Sequence, residues 1–133
     1  NPGLGDRSLA RAASGGELSR LMLALKVELA HHDALPTLVF DEVDQGVGGQ
    51  VAGRVAEALA QVAREHQVLV ITHLPPIAAA AARHLVVAKA AAGGTVQTDV
   101  KAVDREEREV EIAKMLGGTI TTARRHAREL LKR

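Results

Sequence analysis

Cysteine, tryptophan and tyrosine are absent from the 133-residue sequence, and Phe40 is its single aromatic residue. Without cysteine the chain forms neither a disulfide framework nor a thiolate metal site, a composition that suits a reducing cytoplasm. The core must therefore be built mainly from alanine, leucine and valine. Hydrophobic residues make up 47% of the chain, well above the level of disordered sequences. The length is that of one domain with a real core.

An excess of charge of one sign is also lacking, and the formal net charge is +1. This balance gives no strong electrostatic argument for binding to nucleic acid or to a membrane surface, and an isolated DNA-binding domain is usually more basic. No apolar run approaches the roughly 20 residues of a membrane-spanning helix, and no signal peptide is recognisable. The sequence starts at Asn1 rather than Met, which is compatible with a fragment of a longer protein.

The usual phosphate loop, G-x-x-x-x-G-K-[ST], is missing as well, because no Gly-Lys pair occurs in the chain. Ser14-Gly15-Gly16-Glu17 nevertheless precedes an amphipathic helix, and the N-terminus of a helix attracts anions. A capping box explains Ser14 and Glu17. It does not explain two glycines, which cost about 1 kcal/mol each, unless a large group approaches the backbone. The segment favours an anion-binding turn, with a plain helix cap as the alternative.

Hydrophobic periodicity predicts alternating helices and strands in the first part of the chain. One helix is predicted from Glu17 to about His31 and a second from Val51 to about Glu65. Two short apolar runs, 37–41 and 68–72, are typical of strands buried on both faces. A short Ala-rich helix is predicted over 76–82. The first helix should bury one face, which comprises Leu18, Leu21, Met22, Leu25 and Leu29.

The second part of the chain continues with strands and helices. Segments 84–88 and 95–103 are predicted strands, the second exposed or at an edge, and 91–95 is predicted as a hairpin-like turn. Two helices, 105–116 and 122–132, are separated by a glycine pair. Strands alternating with helices indicate an α/β fold with parallel strands. We therefore expect one domain with a mostly parallel sheet flanked by helices.

Acidic residues and a histidine follow the two apolar strands. The carboxyl ends of parallel strands form the edge at which α/β proteins bind ligands, so Asp41, Glu42 and His73 are expected there. Successive strand residues point to opposite sides, which gives the two acids different tasks. Asp41 would hold Mg²⁺, as the strand-end aspartate does in phosphate-loop NTPases, and Glu42 would orient or deprotonate a water. His73 would hydrogen-bond a terminal phosphate or a water.

Simpler interpretations of these residues stay open. Acids are common in turns after strands, so both could be solvated turn residues, and a single histidine is often a polar strand cap. Arginine clusters at 105–108 and 124–128 are mixed with acids, which favours solvated helix faces. The remaining histidines lack metal-ligand spacing and are interpreted as surface or capping residues: His31, His32, His66, His84 and His126.

The order of these segments is more specific than any one of them. SGGE, VFDEVD and ITH in this order resemble the C-terminal half of an ABC-type ATPase head. In that resemblance Ser14–Glu17 is the signature motif, Leu38–Glu42 the Walker B strand, Val43-Asp44 the start of the D-loop and His73 the switch histidine. The closer resemblance is to the RecN family of bacterial SMC-like ATPases, carried by ASGGELSRLMLALK, TLVFDEVDQGVGG, VLVITHLPPIA, EIAKMLGG and HARELL.

Small departures from the family pattern concern the dimer contact. Gln45 and Gly48 stand where threonine and serine are expected in the D-loop region, and Pro76 replaces a glutamine.

Transporter subunits of the ABC class typically carry proline after the Walker B glutamate, where this chain has Val43. A transporter subunit is therefore the less favoured alternative.

The resemblance implies a split head, with the Walker A motif in an N-terminal lobe of the same polypeptide beyond a long coiled coil. Residues 1–133 would form the C-terminal lobe. The implied activity is hydrolysis of ATP, with Mg²⁺, coupled to an ATP-dependent homodimer of heads. The implied process is recombinational repair of DNA double-strand breaks in the bacterial cytoplasm, at the nucleoid. DNA would be contacted through the full-length protein, with no membrane partner.

Residue roles follow from the same resemblance. Glu42 would activate the hydrolytic water, His73 would sense the γ-phosphate and Asp41 would help to hold Mg²⁺. Asp44 would bridge the dimer. The signature residues would contact the γ-phosphate of ATP bound to the partner head: Ser14, Gly15, Gly16 and Glu17. The alternative from another class is a non-catalytic, head-like module that only binds partners or DNA.

Overall fold

Residues 15–29, 35–92, 95–117 and 119–132 are described by a computed structural model, which divides the chain into two compact units, Asn1–Ile77 and Ala78–Arg133. The predicted α/β class is confirmed. Among the described residues, no helix is both long and apolar enough to cross a membrane. The elements in chain order are α1 (Gly15–Leu29), β1 (Thr37–Phe40), α2 (Gly49–Val62), β2 (Gln67–Val70), α3 (Pro75–Ala80), β3 (His84–Ala92), β4 (Thr95–Val103), α4 (Arg105–Leu116) and α5 (Ile120–Leu131).

A parallel pair of strands forms the centre of the first unit. β1 and β2 pair in register from Thr37 opposite Gln67 to Phe40 opposite Val70. Parallel neighbours need a crossover connection, which α2 provides, and its apolar stripe joins the strands in one core. The buried members of that core are Leu23, Leu38, Phe40, Val43, Val55, Ala56, Leu59, Val62 and Ile77.

This pair of strands is buried on one face only within the described part of the chain, so the prediction of burial on both faces is wrong there. Leu38 and Phe40 are buried, whereas Val39 between them is 64% exposed. Leu69 and Ile71 are exposed as well. Because side chains alternate between faces along a strand and Val39 lies opposite Leu69, one apolar face is left uncovered. We call Val39, Leu69 and Ile71 the open sheet face.

Helix α1 lies close to its predicted position but buries a different side. Leu23 is buried, and Val27, one turn further on, packs against the same core. The five residues predicted to be buried are instead 39–52% exposed: Leu18, Leu21, Met22, Leu25 and Leu29. The helix therefore carries apolar residues on two sides. The spacing of apolar residues on either side indicates a helix. It does not indicate which side packs against the core of this unit.

The second unit contains an antiparallel hairpin and a pair of helices. β3 and β4 pair from His84 opposite Val103 to Ala92 opposite Thr95, so these strands form a two-stranded sheet separate from the parallel pair. Residues 93 and 94 of the predicted turn lie outside the described residues. α4 and α5 pack on one another around small side chains, and the buried members of this core are Ala78, Ile112, Ala113, Ala123 and Ala127.

Arg108 differs from the solvated side chain that the sequence predicted. Its half-buried guanidinium donates to the backbone oxygens of Ala78, Ala79 and Ala81, at 3.2, 2.8 and 2.5 Å. The last carbonyl groups of a helix have no partner within the helix, and α3 ends at Ala80. Arg108 thus satisfies the end of α3, a contact between segments that periodicity does not reveal.

Candidate active site

The turn after β1 carries the acidic residues predicted to do chemistry. Asp41 and Glu42 are exposed, whereas Val43 and Asp44 are buried. The Gln45 backbone N–H donates to the Glu42 backbone oxygen at 3.0 Å and closes the turn. After β1 the alternation of buried and exposed side chains therefore ends. Two successive buried residues anchor the turn, and the two carboxylates before them stay exposed.

Glu42 has a backbone conformation that is rare for a residue with a side chain. Its φ is +57°, within the left-handed region that costs an L-residue roughly 1–2 kcal/mol. Such strain persists only where the surrounding contacts impose it, and it clusters at functional sites. The strained residue is also the one predicted to activate water.

Helix α1 holds this turn through side-chain to backbone hydrogen bonds. The Ser19 hydroxyl donates to the Asp41 backbone oxygen at 2.8 Å. The Arg20 guanidinium donates to the Gln45 backbone oxygen at 2.7 Å. Both donors lie in the first two turns of α1, three and four residues after Gly16. The start of the helix and the acidic turn are thus joined within one chain.

The glycine pair lies against the same turn at a distance that excludes side chains. A Cβ at Gly15 would come within 2.6 Å of Glu42 Oε2. A Cβ at Gly16 would come within 2.7 Å of Gln45 Cβ and 2.9 Å of the Glu42 backbone oxygen. The Gly16 N–H also donates to Gln45 Oε1 at 3.3 Å. The close packing against the acidic turn therefore explains why both positions are glycine, whether or not a ligand also binds there.

The two glycines should respond differently to alanine. Gly16→Ala is expected to lower the free energy of unfolding by about 1–3 kcal/mol, because a backbone oxygen and a Cβ must move. Gly15→Ala meets only the flexible end of Glu42, so its effect should stay within about 1 kcal/mol of zero, helped by the better helix propensity of alanine. Urea denaturation of both variants measures this difference. Equal losses would show that the close approach at Gly16 does not matter.

Asp44 forms the buried centre of a hydrogen-bonded cluster at the end of β2. The Thr72 hydroxyl donates to Asp44 Oδ2 at 2.5 Å, and the His73 backbone N–H donates to the same oxygen at 2.9 Å. His73 Nδ1 lies 3.1 Å from Oδ2. The Leu74 N–H donates to the Thr72 hydroxyl at 3.0 Å. The acidic turn after β1 is therefore tied to the residues after β2.

The surroundings of Asp44 favour its charged form. Burial raises the pKa of its carboxyl group, but the hydrogen bonds from Thr72 and the His73 backbone, together with the His73 imidazole, outweigh burial, and the pKa lies below its ordinary value of 3.8. The ionised carboxylate therefore stabilises the fold above that value. This contribution is lost as the pH falls through the lowered pKa.

Asp41 stands at the end of β1 as an exposed carboxylate. Within the described ranges, no group of three or more His, Asp or Glu side chains could hold a metal ion. Mg²⁺ usually keeps several waters and takes one or two protein carboxylates together with substrate phosphates. Asp41 fits that mode of binding, in which the nucleotide supplies the other ligands.

Ser14 lies outside the described residues, so its contacts and the predicted capping box stay predictions. Glu17 lies in the first turn of α1 and is exposed, where an acidic side chain interacts favourably with the positive end of the helix. Of the predicted signature residues, the structure thus brings Gly15 and Gly16 onto the acidic turn.

Curated proteins named DNA repair protein RecN align with almost the whole chain. The protein of Streptomyces coelicolor is 49% identical over 134 residues, covering 99% of this chain and 23% of its own length. The proteins of Bacillus subtilis and Mycobacterium leprae are 46% and 53% identical, covering 95% and 92% of the chain. The chain belongs to the RecN family. It spans 21–23% of the length of these three RecN proteins. No family model matches it.

A solved structure supports the fold of this RecN-type chain. It comes from a study of ATP-driven dimerisation and DNA-stimulated activation of SMC ATPases, and it covers 86% of the chain and 69% of its own length. The TM-score is 0.56 at 22% sequence identity. This likeness concerns the fold alone.

Three residues that hold the acidic turn together were not predicted from the sequence: Ser19, Arg20 and Thr72. Their signal was present, since Ser19 and Arg20 follow the glycine pair within one turn and Thr72 directly precedes His73. His66, which was interpreted as a surface or capping residue, is 7% exposed, and its Nδ1 lies 2.7 Å from the Leu35 backbone oxygen. The pattern of residue types did not distinguish this buried histidine from the exposed His73.

Proposed function

We propose that residues 1–133 form the C-terminal lobe of a split ABC-type ATPase head in a RecN protein. The complete head would bind ATP with Mg²⁺ and hydrolyse it, dimerise when ATP is bound, and act in recombinational repair of DNA double-strand breaks at the bacterial nucleoid. The observation that carries this proposal is the joining of three segments. The start of α1, the acidic turn after β1 and His73 are connected by hydrogen bonds and close contacts.

The chemistry of the proposed site follows from which carboxylates are exposed. Glu42 and Asp41 both reach solvent, so a nucleotide and its metal can meet them, whereas Asp44 is buried and already accepts hydrogen bonds. Glu42 would accept the proton of the attacking water as general base. Asp41 would join the ligands of Mg²⁺, which neutralises charge on the β- and γ-phosphates.

The proposed partner of this lobe is the N-terminal lobe that carries Walker A. Its docking is supported by apolar area that the described residues leave uncovered, namely the open sheet face and the outer side of α1. Exposed apolar patches mark interaction sites. The exposed side chains on α1 are Leu18, Leu21, Met22, Leu25 and Leu29.

The isolated chain is expected neither to bind ATP tightly nor to hydrolyse it. Triphosphate affinity rests largely on the backbone amides and the lysine of a phosphate loop, and this sequence contains no Gly-Lys pair. Isothermal calorimetry of the 133-residue chain and of the full-length protein provides the comparison. Low-micromolar binding by the chain alone would contradict the split-head assignment.

The full-length protein also decides between an enzyme and a non-catalytic module. Steady-state release of phosphate from ATP, with and without DNA, is expected for an ATPase head. A head-like module that only binds partners or DNA would show no phosphate release above that of a variant lacking Glu42.

A further inference from the structure

We infer that Asp44 positions His73, by holding the imidazole so that Nε2 is the nitrogen that meets a bound phosphate or water. The inference rests on the proposed ATPase function, because it assigns a task to a residue that supports the site. It differs from a role for Asp44 across the dimer, since the contacts that carry it lie within one chain.

The hydrogen-bonding capacity of the carboxylate decides which ring nitrogen is engaged. An ionised carboxylate only accepts hydrogen bonds, so the contact of 3.1 Å between Asp44 Oδ2 and His73 Nδ1 requires the proton on Nδ1. The side chain of Asp44 is 4% exposed, whereas that of His73 is 76% exposed. The ring is thus anchored at Nδ1 by a buried group, and Nε2 is the nitrogen left for a ligand.

The main chain of His73 is held by the same oxygen. Its N–H donates to Asp44 Oδ2 at 2.9 Å, so both the ring and the backbone of this residue are fixed from one point. A histidine that is anchored twice loses less rotamer freedom when a ligand binds than a free surface histidine would. Asp44 thereby acts on catalysis without touching the nucleotide.

Thr72 fixes the carboxylate in turn. Its hydroxyl donates to Asp44 Oδ2 at 2.5 Å and accepts from the Leu74 N–H at 3.0 Å. The hydroxyl is therefore held between a donor and an acceptor, and it sets the orientation of the carboxylate. Serine at this position keeps the hydroxyl, whereas valine keeps the shape and removes it.

The test uses the full-length protein and measures kcat and KM for ATP. Asp44→Ala is expected to lower kcat by about 10–100-fold, by analogy with the loss seen when the group that orients a metal-bound histidine is removed. KM should change by less than about threefold, because the residue does not contact ATP. Asp44→Asn should recover part of the loss, since its amide oxygen can still accept from Nδ1. Thr72→Val should lower kcat in the same direction, and Thr72→Ser should restore it.

A double-mutant cycle separates positioning from general stability. In a His73→Ala background, Asp44→Ala should change kcat by less than about threefold, because the residue through which it acts is gone. Full additivity of the two losses would overturn the inference. The inference would also be overturned if His73→Ala lowers kcat but Asp44→Ala leaves it unchanged. If His73→Ala leaves kcat unchanged, the catalytic role of His73 is wrong and the inference falls with it.

A spectroscopic measurement tests the geometry without relying on activity. In full-length protein labelled with ¹⁵N-histidine, at a pH where the ring is neutral, the His73 signals should show the proton on Nδ1. Asp44→Ala should shift the tautomer equilibrium of the His73 ring toward the form protonated on Nε2. The His73→Ala variant assigns the signals, and Thr72→Val serves where Asp44→Ala does not fold. A proton on Nε2 in the unmodified protein would overturn the inference even if the ATPase activity is present.

Discussion

Glu42→Gln in the full-length protein is expected to slow ATP hydrolysis by about 10²–10⁴-fold, the range typical of losing a general base. The amide has the same size but does not accept the proton of the attacking water. ATP binding should persist, because it depends on phosphate contacts elsewhere in the head. ATP-bound dimers should therefore accumulate. Phosphate release, equilibrium binding of ATP and size-exclusion chromatography with ATP measure the three results.

A matched control is available on α2. Glu57 is exposed on that helix, away from the acidic turn in sequence, and Glu57→Gln removes the same charge without removing the proposed base. Its turnover should equal that of the unmodified protein. Turnover of Glu42→Gln within about threefold of the unmodified protein would show that Glu42 is not the base.

Two full-length variants that are each nearly inactive are expected to regain ATPase activity when mixed. Ser14→Arg should block closure of the heads by bulk at the signature turn, while each head still binds ATP. Asp41→Asn should instead damage the nucleotide site within its own head. If the signature of one head acts on ATP held by the other, each homodimer has two defective composite sites.

Mixing separates the two defects. In a mixed dimer one composite site combines both changes, and the other pairs an unchanged Asp41 with an unchanged Ser14. With random pairing half of the dimers are mixed and one of their two sites is intact, so recovery should approach about a quarter of normal turnover if the sites act independently. Steady-state phosphate release after subunit exchange measures it.

A covalently linked dimer provides the control. It carries both substitutions in one half and none in the other, so it has no intact composite site when the signature acts on the partner. Recovery in the mixture with none in the linked dimer would support action across the dimer. The reverse result would place the signature on the nucleotide of its own head, where the close contact between Gly15 and Glu42 already lies.

Prediction from the sequence succeeded where the signal was local. Apolar runs and helical periodicity located α1, β1, α2 and β2 within two or three residues, because secondary structure follows from residue type over short windows. The antiparallel hairpin was visible as two strands around a turn. That it forms a sheet of its own depends on pairing between strands, which periodicity does not contain.

Burial was predicted less well, for a physical reason. The apolar residues of β1 and α1 were assigned to buried faces, but Val39 and Leu25 are 64% and 46% exposed. An apolar side chain indicates that its burial would be favourable. It does not indicate whether the residues that bury it belong to the same stretch of chain. RecN proteins are several times longer than this chain, which is the setting in which such faces find partners.

The candidate site was predicted as a set of residues but not as a connected structure. Asp41, Glu42 and His73 were placed correctly at the ends of strands. Ser19 and Arg20 join the acidic turn to α1, and Thr72 joins Asp44 to the residues after β2. These contacts depend on side-chain positions and distances that only the fold provides. Asp44 illustrates the limit most clearly, since the same carboxylate that was expected at the dimer contact lies buried against His73.

The left-handed backbone at Glu42 separates what folding favours at this position from what the sequence carries. At a φ of +57° folding alone would favour glycine, or asparagine, either of which adopts this conformation at lower cost. A chain optimised for stability would therefore lose the glutamate. Stability is commonly given up in this way where activity needs a strained residue. The carboxylate at position 42 thus stands against the preference of its own backbone.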